Sequence, residues 1–159
     1  MPETFAPTSD WLYQHIIEDS SVAVIYGDAA GVIRLWNKGA EEIFGWTAEE
    51  ALGRSMDLII PEKHRTVHWE GYRRVMKTGL TKYGRTMLAV PALTKDGHRI
   101  SIEFSVVLLK GPTGEVVGIA AFLQDITQRW ERDKALLKRL AEAEAEALAR
   151  GRKGSGYAG

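Results

Sequence analysis

Hydrophobic positions along this chain change period several times, and the changes delimit its elements. Ile100, Ile102, Phe104, Val106 and Leu108 alternate with Ser101, Glu103 and Ser105, the period-two pattern of a strand that buries one face. This strand, residues 99–109, lies between two more β-rich runs at 85–93 and 115–124, with Asp96-Gly97 and the stretch GPTG as the intervening turns. Upstream, runs at 22–26 and 32–36 flank Gly27, Asp28 and Gly31, which supply hairpin chemistry.

Between the hairpin and the last three strands the period becomes helical. Asn37 caps NKGAEEIFG and Gly45 ends it; Thr47 caps TAEEALG, with Glu50 three residues on completing a capping box. Pro61 suits a first helical position, Glu62 suits the positive helix start, and Gly79 stops an eighteen-residue helix. A short amphipathic helix over 8–18 opens on Thr8, Ser9 and Asp10 and carries Trp11, Ile16 and Ile17. At the other end, QRWERDKALLKRLAEAEAEALAR holds neither glycine nor proline and reads as a long helix whose broken apolar stripe is Ile126, Trp130, Leu137, Leu140 and Leu148. Two strands, several helices and three strands predict an α+β domain: an antiparallel sheet with helices over one face. The divisions are an N-terminal flanking helix at 1–19, a domain at 20–127, a signalling or dimerisation helix at 128–150 and a flexible tail at 151–159.

Composition narrows the function. With 45% hydrophobic residues in 159 the chain can build a core, and 21 basic against 21 acidic residues leave no net charge, hence no general attraction to nucleic acid or an anionic membrane. The absence of cysteine removes thiol catalysis, cysteine-ligated metal sites and cysteinyl photoadducts. Neither a leader-like start nor an apolar run of about 18 residues occurs, so the expectation is a soluble, cytoplasmic protein. Paired carboxylates, a nucleophile motif and a phosphate-binding glycine loop are missing too, which argues against an enzyme.

The candidate chemistry lies in PEKHRTVHWEGYRR. On a helical wheel of about 100° per residue, His68 falls in one apolar stripe with Trp69, Tyr72, Val75 and Met76, with His64 at its edge and Arg74 on the far side. A buried imidazole must satisfy its nitrogens, by hydrogen bonds or by giving one to a metal; sequence leaves both readings open. His64 and His68 at i and i+4 also match a weak zinc pattern. Tyr26, Trp36 and Trp46 fit plain packing better than an aromatic-ligand pocket. Asp125 reads as a helix cap or as a partner of Arg129 one turn on.

The stretches DAAGVIRLWNKGAEEIFGW, KDGHRISIEF and GIAAFLQDIT resemble the PAS sensory-domain family from about residue 20 to 127. That resemblance implies a five-stranded antiparallel sheet with short helices over one face, a small-molecule pocket, and flanking helices that form a homodimer or engage a partner signalling protein. More locally, PEKHRTVH resembles the haem-PAS oxygen-sensor kinases, whose proximal histidine lies seven residues after the proline; here that residue is His68. The resemblance implies a b-type haem on His68, with Tyr72, Met76, Phe104 and Val106 around it and Arg74 and Lys82 near its propionates. It also marks a departure, because Leu88 stands where those sensors carry a distal arginine. An apolar distal side puts carbon monoxide, nitric oxide and redox state beside oxygen as signals. The alternative implied by the family is a cofactor-free dimerisation module.

Overall fold

The computed structural model describes residues 5–82 and 87–154, with side chains through 152. It divides into two units, residues 1–125 and 126–159. In the first, helix α1 (Ser9–Glu18) precedes strands β1 (Ala23–Asp28) and β2 (Ile33–Trp36), helices α2 (Lys38–Phe44) and α3 (Ala48–Ala51), a 3-10 turn (Met56–Leu58) and helix α4 (Glu62–Thr78). Strands β3 (Leu88–Leu93), β4 (Arg99–Lys110) and β5 (Val116–Asp125) complete it. The second unit is helix α5 (Thr127–Gly154).

All five strands pair antiparallel in the order β2-β1-β5-β4-β3, the α+β arrangement expected from the sequence pattern. The hairpin places β1 beside β2, while β5 returns to the middle of the sheet and joins the two halves. Of the predicted run at 85–93, Arg85 and Thr86 lie outside the described residues.

Local chemistry explains the helix ends. Asn37 and Thr47 cap α2 and α3 through their side chains, Thr47 with the reciprocal Glu50 bond of a capping box. Gly45 and Gly79 close α2 and α4 in left-handed conformation, at φ 78° and 68°, where a Cβ would be strained. Pro61 sits one position before α4, which begins at Glu62.

The core packs one sheet face against the connecting helices. Phe44, Ile25 and Ile33 are the largest wholly enclosed side chains, joined by Trp36, Ala40, Met56, Ile59, Ala92, Ile102 and Leu123. Trp36 packs on Phe44 at 5.5 Å between ring centroids and donates its indole N–H to the Trp46 carbonyl; Tyr26 donates its hydroxyl to the Val117 carbonyl. Both aromatics thus spend their polar hydrogens on backbone carbonyls of the fold.

Candidate functional site

Helix α4 is fastened to the β1–β2 hairpin by two aromatic side chains. A Cβ on Gly31, at φ +77°, would run into the Trp69 indole, and one on Gly27 would stand 2.9 Å from the Tyr72 hydroxyl oxygen. Glycine at both positions therefore lets the helix approach. Trp69 donates its indole N–H to Asp57 at 2.8 Å. The Tyr72 hydroxyl meets the Asp28 carbonyl at 2.7 Å and the Gly27 carbonyl at 3.0 Å, one proton shared between two acceptors. Burial, with the Asp28 charge, pushes its pKa up, so the phenol stays protonated. Replacing Tyr72 by Phe removes the proton shared by those two carbonyls and is expected to cost about 1–3 kcal/mol, read as a lower urea midpoint with unchanged slope.

His68 lies about 100° around the helix from Trp69 and about 40° from Tyr72. Its ring is 4.8 Å from Trp69 and 5.9 Å from Tyr72. The Nδ1 atom is buried without a partner, as is Nε2 of His64 one turn earlier. Among the described residues neither ring makes a hydrogen bond, so the backbone-bonded reading of His68 is not what the structure places there. Desolvation lowers the His68 pKa, and the Asp57 carboxylate only partly opposes it, leaving a neutral imidazole at neutral pH.

The unfolded chain binds the proton more readily than the folded one, so the contribution of His68 to stability is complete above the ordinary value of 6.5 and is lost as pH falls through the lower folded value. Thermal unfolding of a His68→Gln protein is expected to depend less on pH over that window than unfolding of the parent.

The β3–β4–β5 part of the sheet offers apolar surface. In register, Leu88 faces Phe104 and Val90 faces Ile102 between β3 and β4, while Phe104 faces Leu123 and Val106 faces Ala121 between β4 and β5. Leu88, Phe104, Val106, Leu108 and Ala121 thus share the face of the buried Ile102 and Leu123, yet each is only half-buried. Helix α4 passes over the other half of the sheet, with Tyr72 at Gly27 and Gly79 beside Val116. An incompletely covered apolar shelf therefore borders the helix.

Of the other sequence candidates, Met76 is half-buried on α4, whereas Arg74 and Lys82 are exposed. Tyr72 is 7% exposed, but its hydroxyl is committed to the hairpin carbonyls rather than to a ligand. No group of three His, Cys, Asp or Glu side chains suited to a metal ion occurs among the described residues, which leaves the zinc pattern of His64 and His68 without further protein ligands. No described helix is long and apolar enough to cross a membrane.

A second concavity of about 330 Å³ was not legible in the sequence; Trp46, Arg54, Ser55, Asp57, Leu58 and Arg65 line it. The Arg54 guanidinium lies 5.1 Å from the Trp46 ring centroid, and Arg65 is held by the carbonyls of Ile60 and Asp57. These residues come from the α2–α3 connection, the segment after α3, the 3-10 turn and α4.

The family model for the PAS fold matches residues 12–126. The chain belongs to the PAS family. Among curated PAS relatives, an uncharacterised protein of Azorhizobium caulinodans is 36% identical over 127 residues, covering 79% of this chain and 17% of its own length. Sensor protein FixL of Bradyrhizobium diazoefficiens is 26% identical over 125 residues, covering 77% of this chain and 23% of its own length. The chain therefore spans less than a quarter of either relative. Among solved structures, the PAS domain of a Colwellia psychrerythraea protein superposes with a TM-score of 0.65 at 24% identity, covering 74% of this chain and 96% of its own. PAS membership makes the chain a sensory module of signal transduction.

Proposed function

We propose that this PAS module binds a small planar cofactor between the His68 flank of α4 and the β3–β4 shelf, and that the cofactor is a b-type haem ligated by His68. The observation that carries the reading is the partnerless, neutral imidazole of His68 in a domain whose β3–β4 surface is apolar and half-covered. A neutral ring has a lone pair to give a metal, and Leu88, Phe104 and Val106 offer the apolar contact a macrocycle requires. The residues fit such a group. Met76 and the ring of Tyr72 extend the wall on α4, and Arg74 and Lys82, both exposed, are the cations offered to the rim.

When bound, the haem iron supplies an open coordination position and a redox couple. Leu88 offers no hydrogen-bond donor to a bound gas, which favours carbon monoxide, nitric oxide or redox state over oxygen-specific sensing. The Tyr72 hydroxyl ties α4 to β1, and β1 pairs with β5 from Ala23↔Leu123 to Asp28↔Gly118. A shift of α4 thereby reaches the strand that leads into α5.

Mapping by methyl NMR tests this placement. Adding haemin is expected to shift the Leu88, Val106 and Leu108 methyls on the shelf more than Val107 and Leu109, which point to the opposite face and are 52% and 38% exposed. Larger shifts on the outer pair would exclude the interior site.

Helix α5 favours an output through helix pairing. Trp130, Leu136, Leu137, Leu140 and Leu148 are all exposed in the single chain, while Ile126 is already 7% exposed and buried without a partner chain. The stripe therefore begins at Trp130, and it suits a second copy or a signalling partner. In sedimentation equilibrium the parent is expected to dimerise, and a Leu137→Lys, Leu140→Lys double substitution to give monomers; a parent that stays monomeric at high concentration would rule the homodimer out.

A further inference from the structure

Two buried imidazole nitrogens on one flank of α4, Nε2 of His64 and Nδ1 of His68, both lack a partner. Buried polar atoms in folded proteins are nearly always paired, and side chains four residues apart on a helix are neighbours, with Cβ atoms about 5–6 Å apart. The chemistry of the two atoms is complementary. Either ring nitrogen of a neutral histidine is a donor or an acceptor according to tautomer, so a single proton carried by one ring satisfies both atoms.

The polar side chains of Trp69, Tyr72 and Asp57 are already committed. Trp69 gives its indole N–H to Asp57 and Tyr72 gives its hydroxyl to the hairpin carbonyls. Asp57 in turn accepts from Trp69 and lies 3.8 Å from the Arg65 guanidinium; it acts on His68 only through its charge.

We propose that His64 is the positioning residue for His68: rotation of its ring lets Nε2 accept the proton of His68 Nδ1, which fixes the His68 tautomer with its lone pair on Nε2. This rests on the reading of His68 as a ligand, and it supplies what that reading otherwise lacks, a partner orienting the ring. Metal-bound histidines commonly donate their second nitrogen to an acceptor, which fixes the tautomer and strengthens the ligand, and loss of that acceptor costs about 10- to 100-fold in affinity.

The test is nitrogen-15 NMR of the imidazoles in the full chain without haem, in mildly alkaline buffer. His68 is expected to carry its proton on Nδ1, against the Nε2–H form that predominates in free imidazole side chains. His64→Gln retains an acceptor and is expected to keep that tautomer; His64→Leu is expected to release it and to weaken haemin binding by about 10- to 100-fold. An Nε2–H tautomer in the parent, or an unchanged tautomer in His64→Leu with an intact backbone spectrum, would overturn the assignment. Should His64→Leu not fold, the parent tautomer alone decides. Failure of haemin to bind while the tautomer is as expected would instead remove the haem reading and leave the His64–His68 pair standing.

Discussion

A His68→Ala protein is expected to lose haem at least about a hundredfold faster than the parent, measured as transfer of bound haem to excess apomyoglobin. The magnitude follows from what remains. Leu88, Phe104, Val106 and Met76 give apolar contact but no ligand atom, and no cluster of three metal-ligating side chains exists among the described residues to replace the imidazole. Loss of a metal's only protein ligand exceeds the 10- to 100-fold typical of losing an outer-shell partner. The half-buried ring of His68 packs on Trp69 and Tyr72, so the unfolding midpoint near neutral pH is expected to fall modestly while the fold is kept. Equal transfer rates in the two proteins would remove His68 from the site.

Asn37→Ala is expected to have the largest effect on stability. Asn37 is 4% exposed, the only buried polar side chain among the described residues with that degree of enclosure, and it joins three segments. Its carbonyl oxygen accepts from the Val24 N–H at 2.7 Å and the Ala40 N–H at 3.0 Å. Its amide nitrogen donates to the carbonyls of Ile17 at 2.8 Å, Val22 at 2.9 Å and Ser20 at 3.3 Å. Alanine removes an N-cap, worth about 1 kcal/mol, and strands buried groups at about 1–3 kcal/mol each where water cannot replace them. A loss of about 3–5 kcal/mol follows, read from the urea midpoint. Asn37→Asp keeps the acceptor and is expected to retain the cap while losing the donors to residues 17–22. A cost below about 1 kcal/mol for alanine would show that water substitutes for the amide.

Asn37 also illustrates what the sequence makes legible. Its capping role is local, an acceptor three residues ahead of an N–H, and was readable beside Thr47, Gly45 and Gly79. Its bonds to Ile17, Ser20, Val22 and Val24 depend on how α1 and β1 approach α2, which no spacing encodes. The same division applies to α4. The wheel placed His68 and Tyr72 inward because helical periodicity is set by the backbone, yet Tyr72 finds its acceptors 44 and 45 residues away. Its commitment to the hairpin was therefore hidden. Strand alternation marked Phe104, Val106 and Leu108 as one face, but their partial exposure depends on where α4 crosses the sheet. Gly27 and Gly31 were read as turn residues; Gly31 does hold a left-handed turn conformation, and both also serve a second purpose, close approach to Tyr72 and Trp69.

Visible absorption during titration of the full chain with haemin tests the central claim most directly. A sharp Soret band that saturates at one haem per chain is the result expected if His68 ligates iron above the β3–β4 shelf. A broad band that grows without saturation, as haemin gives with unspecific hydrophobic surface, would contradict it and leave a PAS module whose interior serves another ligand or its own packing.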